Sequence, residues 1–472
     1  PSRGCMGGSR CMTVAAAQIS ARSGEEAELT LASLDSAIRK AHRAGAHLLV
    51  LPECAYPAYL LGSVESYRAG RYMPGEDFVR WLAGRAADCR MHIVSGFVDD
   101  GGNRLHNAAV LLDDHGREIG RTHKTFLWHL EHDWYTAGDQ IRTFDTQLGR
   151  IGMIICAETR SPEILATLAA DGAELLAMPT CWVNSARQAG EFHNPQVEFL
   201  IEARAREFGL PIVCADKWGV ELPGFGYVGQ SRIVRADGSL AAEAGPTGEA
   251  VICAQITPAK SNRQADPREH TARLLSQSAP VRLRASDLLP LRVALMTAFV
   301  RPRALAANGP VLRHLQQHKP DLLVAQAANI DDERNLRRVA ADLGVRLLLP
   351  PPACQMIDLA AGRAACLVGP AARSFATPRS MVLDGAAMLI FWEEPSDLPI
   401  LRARALENRV FVIAINTSFV AIIGPDGTIL THTSSESTLP PVVVLHLGEA
   451  ADKLVAPNTD VFSERRPATY RF

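Results

Sequence analysis

Three shortages narrow what this chain can be. Its ten cysteines include no Cys-x-x-Cys pair and no tight, regular spacing. That argues against a disulfide framework and for reduced thiols in a cytoplasmic protein. Charge of either sign is not in excess: the formal net charge is −2, so no bulk electrostatic term points to nucleic acid or an anionic membrane. Long apolar runs are missing too, and runs such as residues 108–112 fall far short of a membrane span. The first eleven residues lack the apolar centre of a signal peptide and are read as a tail, with the folded chain starting near Met12.

What is present is a soluble globular composition. Hydrophobic residues make up 47% and charged residues 21% of 472, enough chain for two or three domains. From Met12 onward, strand and helix signals alternate. Residues 13–18 form a short buried-strand candidate; Ala27, Leu31, Leu34, Ile38 and Ala41 then recur at helical spacing, and Gly45 closes that helix. Residues 47–52 are the next strand candidate, with Glu53 at its end. Further candidates are residues 92–98, 108–112, 151–155, 173–178 and 211–215, with helices in several gaps, which predicts an α/β class. Residues 258–290 are polar, without a clear period, and read as a linker or extended arm.

Beyond that arm the chain repeats itself. Gly149-Arg-Ile-Gly-Met-Ile-Ile-Cys-Ala-Glu-Thr-Arg-Ser161 resembles Gly362-Arg-Ala-Ala-Cys-Leu-Val-Gly-Pro-Ala-Ala-Arg-Ser374. Asp171-Gly172 aligns with Asp384-Gly385, Ala203-Arg-Ala-Arg-Glu207 with Ala403-Arg-Ala-Leu-Glu407, and Leu48-Leu-Val50 with Leu322-Leu-Val324. The matches are short but keep one order, which a duplicated fold explains. The copies differ where chemistry would sit: Glu53 aligns with Ala327, and Cys156 with Gly369.

Cys156 ends an apolar strand, and Ser161-Pro162-Glu163 reads as a helix start with Ser161 as cap and Pro162 in the first turn. A buried cysteine is ordinarily plain core. Here a strand-to-helix turn would expose the thiol at the sheet edge, Glu53 ends another strand, and Lys124 follows in Gly120-Arg-Thr-His-Lys-Thr-Phe-Leu127. Glu53, Lys124 and Cys156, in this order, resemble the Glu-Lys-Cys triad of the nitrilase, or carbon–nitrogen hydrolase, superfamily. The resemblance covers roughly residues 12–256 and, more weakly, 291–472.

The resemblance implies a four-layer α-β-β-α sandwich over residues 12–257, followed by a shorter degenerate copy over residues 291–472. It implies hydrolysis of a small-molecule amide or N-carbamoyl group, with no metal and no organic cofactor. Glu53 would be the general base, Lys124 the oxyanion donor with a backbone N–H near Ala157, and Cys156 the nucleophile that becomes a thioester. Glu131, in His129-Leu-Glu131, resembles the second glutamate that often supports the triad. Nitrile-cleaving members usually show Cys-Trp-Glu, whereas this chain has Cys156-Ala157-Glu158, closer to amidase and carbamoylase branches. A nitrilase, or a non-catalytic scaffold descended from the family, are the alternatives.

Arg160 admits two readings: a bidentate partner for a substrate carboxylate, or a structural ion pair, since Arg373 holds the same place in the damaged copy. Trp182, after the strand ending at Met178, is expected to line the pocket. Family members commonly pair through a sheet-extending interface, so the second half is expected to stand in for a partner as an intramolecular pseudo-dimer, with further homo-oligomers open. The segment from Phe462 to Pro467 resembles the family's C-terminal segment and would serve both halves. Gly224-Phe-Gly-Tyr-Val-Gly229 matches a dinucleotide fingerprint but leads into a strand, where such a site needs a helix. His123, His129 and His132 follow no recognisable ligand spacing.

Overall fold

The computed structural model describes residues 11–184, 192–259, 268–297, 309–369, 372–392, 397–416, 419–434 and 439–472. The chain divides into two units. The first is Pro1–Gln264, Ala456–Thr459 and Ser463–Phe472; the second is Ala265–Val455 and Asp460–Phe462.

In the first unit one sheet takes β1 (Met12–Ser20), β2 (Leu48–Val50), β3 (His92–Asp99), β4 (His106–Leu112) and β5 (Glu118–His123). A second sheet takes β6 (Thr143–Thr146), β7 (Gly149–Met153), β8 (Leu175–Pro179) and β9 (Ile212–Ala215). The hairpin β10 (Lys217–Leu222) and β11 (Phe225–Val228) extends the first sheet beside β1. β12 (Arg232–Val234) and β13 (Leu240–Glu243) return to the second sheet, and β14 (Ala250–Ile256) pairs antiparallel with β1. The resulting orders are β11-β10-β1-β2-β3-β4-β5 and β13-β12-β9-β8-β7-β6.

Strand periodicity sorts the first sheet's side chains into two layers. Ala15, Ala17, Leu49, Ile93, Val110 and Leu112 pack with Leu34 and Ile38 of helix Ala27–Arg43 and Phe78 and Leu82 of helix Gly75–Cys89. The alternate set, Val14, Ala16, Leu48, Val50, Val94, Ala109 and Leu111, joins Met153, Leu176 and Val213 of the second sheet. Helices Pro162–Ala170 and Ile201–Phe208 add Leu165, Leu168 and Ile201 to that same core. This is the layered α-β-β-α sandwich.

The second unit contains β15 (Pro290–Met296), β16 (Leu322–Ala325), β17 (Arg346–Leu348), β18 (Gln355–Leu359), β19 (Gly362–Leu367) and β20 (Met388–Trp392). It continues with β21 (Phe411–Ile415), β22 (Phe419–Ile423), β23 (Ile429–Ser434) and β24 (Val442–His446). Its sheets run β17-β16-β15-β24 and β18-β19-β20-β21-β22-β23. Strand for strand, these repeat β3-β2-β1-β14 and β6-β7-β8-β9-β12-β13. Directions repeat as well: within these four matched strands, each first sheet is parallel except for the closing strand. In the second sheets two parallel pairs lie between antiparallel ones.

Several expectations change. The proposed arm at 258–290 contains the helix Arg268–Leu275, because Leu274 is fully buried and Arg273 bonds to Asp384 at 2.9 Å. The last residues, expected within the second domain, join the first unit: Arg465 reaches Glu163 at 3.3 Å, and the Arg471 N–H reaches Thr167 at 3.1 Å. Ser161 precedes its helix but does not cap it, because its hydroxyl donates to Glu163 at 3.0 Å. Residues 1–10 of the expected tail lie outside the described residues. Among the described residues, no helix is long and apolar enough to cross a membrane.

Candidate active site

Four elements of the first unit deliver the site. Glu53 lies just past β2, in a turn held by three backbone bonds. Glu53 N donates to Thr180 O (3.3 Å), Gly96 N to Pro52 O (3.0 Å) and Ala55 N to Gly96 O (3.1 Å). A Cβ at Gly96 would stand 2.5 Å from the Glu53 Cα, so only glycine fits beneath this turn. Lys124 follows β5, a strand the sequence reading passed over, and its N–H bonds to Asn107 O at 2.8 Å. Glu131 opens the short helix Glu131–Trp134.

Cys156 starts a 3₁₀ turn, Cys156–Arg160, with φ at 46°. Left-handed backbone in a non-glycine residue is uncommon and marks a turn worth attention. Glu158 clamps that turn to the lysine segment. Its Oε1 accepts from Thr125 N and Oγ1, and its Oε2 from Ile155 N, each at 2.7 Å.

Glu53, Lys124 and Glu131 are fully buried in direct contact. Lys124 Nζ donates to Glu53 Oε1 at 2.6 Å and to Glu131 Oε1 at 2.7 Å. The two carboxylates differ in occupancy. Glu131 Oε1 also accepts from Tyr59 OH (2.8 Å) and Asn107 Nδ2 (3.2 Å), and its Oε2 from Trp128 N (2.9 Å). Glu53 Oε1 also accepts from Asn107 Nδ2 at 2.7 Å, but its buried Oε2 has no partner among the described residues. One glutamate is saturated and the other keeps an open oxygen.

Charges in this space act on one another. Burial pushes the Cys156 thiol well above its usual range; the Glu53 charge pushes the same way, and Lys124 opposes it. Cys156 therefore rests as a thiol and needs a base to become a nucleophile. Burial pushes Glu131 up to about 7, opposed by Lys124 and reinforced by Glu53. Burial alone would lower Lys124, yet Glu131 and Glu53 hold its ammonium well above the ordinary value.

Cys156 Sγ lies 3.7 Å from Cys181 O, in a cleft of about 260 Å³ including its open mouth. Ala157, Arg160 and Trp182 line this cleft, as do Trp128 and Gln196. Arg160 is buried with its guanidinium 4.7 Å from the Trp128 ring, whereas Arg373 of the second unit is exposed. The two aligned arginines thus differ in environment. The Trp182 indole N–H has no acceptor among the described residues. His123 turns to Asp99 (2.9 Å) and His132 to Glu464 (3.4 Å), so the histidines do not converge. The glycines 224 and 229 flank β11 of a hairpin, and Tyr227 there packs edge-on to Tyr59 at 6.2 Å.

Sequence reasoning missed Asn107, Tyr59, Gly96 and the role of Glu158. Asn107 carried a usable signal: it shares strand parity with Ala109 and Leu111, a polar residue on a core-facing row.

The family model for carbon-nitrogen hydrolases matches residues 13–265. The chain belongs to the carbon-nitrogen hydrolase family. It is 29% identical over 233 residues to a nitrilase from Pyrococcus abyssi, covering 49% of this chain and 84% of that relative. It is 24% identical over 261 residues to an N-carbamoylputrescine amidase from Solanum lycopersicum, covering 52% and 86%. Among solved structures, an amidase from Nesterenkonia sp. is similar at 23% identity and TM-score 0.46, covering 52% of this chain and 91% of that one. The matched segment of this carbon-nitrogen hydrolase contains Glu53, Lys124, Glu131 and Cys156.

Proposed function

We propose that the first unit hydrolyses a small non-peptide amide or N-carbamoyl compound through a Cys156 thioester, releasing ammonia. The observation that carries this reading is the asymmetry of the two glutamates around Lys124, which leaves Glu53 Oε2 open while the Glu53 charge and burial keep Cys156 a thiol that needs a base. Glu53 takes the Cys156 proton as sulfur attacks the carbonyl carbon. Lys124 has three N–H bonds, two given to carboxylates, and the third is available to the developing oxyanion. Collapse of the tetrahedral adduct breaks the C–N bond, and the Glu53 proton leaves with the amine. Glu53 then takes a proton from water as the hydroxyl adds to the thioester. A second collapse releases the acid, and the proton returns to sulfur. Glu131 stays saturated throughout and serves to hold Lys124.

An ammonia-release screen across primary amides, N-carbamoyl amino acids and nitriles tests the reading, with Cys156→Ala as control. Release from amides or carbamoyl compounds that vanishes in Cys156→Ala is the expected result. Release from nitriles alone would move the assignment to a nitrilase. No release from any class would favour the non-catalytic scaffold.

A further inference from the structure

The mechanism leaves without a task a buried amide that touches both glutamates. Asn107 lies on β4 with no exposed surface, in the row that otherwise presents Ala109 and Leu111 to the core. A buried amide there is costly, roughly 1–3 kcal/mol, unless it is hydrogen-bonded. Its Nδ2 donates to Glu53 Oε1 at 2.7 Å and to Glu131 Oε1 at 3.2 Å. Lys124 Nζ donates to the same two oxygens. Two donors and two acceptors thus alternate around a closed ring. The amide can face only one way, because a flipped Oδ1 would oppose two carboxylate oxygens.

We propose that Asn107 is a positioning residue for the base: with Lys124 it fills Glu53 Oε1 and so fixes the carboxylate with Oε2 open for Cys156. The inference rests on the reading of Glu53 as that base. An amide suits the place better than the alternatives. A second ammonium would bind the Glu53 anion more strongly and weaken it as a base. A third carboxylate would repel both acids. An apolar side chain would leave Glu53 Oε1 with one donor, and the terminal torsion of glutamate is soft enough to let the group turn.

The full chain carrying Asn107→Leu, Asn107→Asp or Asn107→Ser provides the test. Two quantities are measured against pH: ammonia release from an amide that the wild type turns over, and alkylation of Cys156 by chloroacetamide, followed by mass spectrometry. Asn107→Leu and Asn107→Asp should lower kcat about 10²-fold, the scale of a misplaced catalytic group, with KM changed less than about twofold. Asn107→Asp should also move the acid limb of kcat/KM upward by about one pH unit, because three carboxylates around one ammonium retain an extra proton. Asn107→Ser, which keeps one donor, should recover about tenfold of the loss. Cys156 alkylation at neutral pH should slow about tenfold in Asn107→Leu, a readout that needs no known substrate.

A Cys156→Ala protein that still turns over would sink the underlying mechanism. An inactive Cys156→Ala beside an Asn107→Leu with wild-type kcat, pH profile and alkylation rate would sink the positioning role alone. A change confined to KM would do the same. If Asn107→Leu does not fold, the isosteric Asn107→Asp decides by its acid limb, and an unmoved limb overturns the proposal.

Discussion

The two units share strand order and direction, yet only one of them builds the cluster around Lys124, and the reason reaches beyond single residues. Among the described residues, the second unit has no counterpart of β4, β5, β10 or β11. β4 carries Asn107 and β5 ends at Lys124. β10 carries Lys217, whose Nζ holds Cys54 O at 2.9 Å beside Glu53, and β11 carries Tyr227. What the units keep in common is framework. The buried pair Arg204–Glu207 at 2.7 Å recurs as Arg404–Glu407 at 2.9 Å, on the matching helix. Even the turn at Cys156 survives as a turn: Gly369 has φ at 66° where Cys156 has 46°. Both units keep the turn; among the described residues, only the first has the hairpins that carry the cluster around Lys124. Restoring a cysteine at Gly369 would give a thiol with no lysine-bearing strand to face it.

The sharpest way to break the contrast is to install the second unit's residue in the first. Cys156→Gly should abolish turnover, a loss of at least about 10⁴-fold, as should Cys156→Ala. The two variants should differ in stability. Both lose the thiol, but alanine keeps a side chain in left-handed backbone, so Cys156→Gly should be more stable than Cys156→Ala by about 1 kcal/mol in urea unfolding. Equal midpoints would mean that the turn carries no strain. Next in size is Lys124→Met, which strips the cation from two buried carboxylates. Activity should fall about 10³-fold from the lost oxyanion donor. The unit should lose about 3–5 kcal/mol, because breaking a buried pair leaves charge uncompensated. A Lys124→Met protein as stable as wild type would show that a carboxylate takes up a proton and relieves the site.

Periodicity made much of this frame legible in advance. The alternation of Val14 and Ala16 with Ala15 and Ala17, and the helical spacing of Leu34, Ile38 and Ala41, come from backbone geometry that any single sequence displays. The short matches recur in one order, and the strand order of the two units recurs as well. Lys124 could be singled out, but its strand could not, because Glu118–His123 is an edge strand of polar and half-buried residues without an apolar run. Glu158 was visible only as a charge near Cys156. Its clamp on Thr125 joins positions 33 apart in the chain, a contact that local pattern does not encode. The C-terminal residues were misassigned for the same reason: Arg465 and Glu163 are 302 positions apart.

The smallest effect sharpens the comparison at a second buried lysine. Lys453 of the second unit is nearly as enclosed as Lys124, being 4% exposed against 1%, but it meets backbone carbonyls instead of carboxylates. Its Nζ donates to Asn408 O and Arg409 O, both at 3.0 Å, and lies 5.3 Å from the Phe462 ring. Burial, then Arg409 and Arg379, bring it down from 10.5 to about 7, with Asp460 opposing and Arg282 adding to the fall. A neutral amine has two N–H bonds, the number of carbonyls it meets; an ammonium would carry a third proton with no acceptor among the described residues. The unfolded chain keeps this proton up to about 10.5 and the folded chain releases it near 7, so the unfolded state binds more protons between those values. Stability from this group is therefore present at high pH and lost as pH falls toward and through 7. Lys453→Met should cost about 1 kcal/mol at pH 9, where two hydrogen bonds disappear. At pH 6 it should cost less, or stabilise. Denaturant unfolding of both proteins at the two pH values measures the difference directly; a penalty independent of pH would mean that Lys453 keeps its proton and sits, like Lys124, as a buried cation.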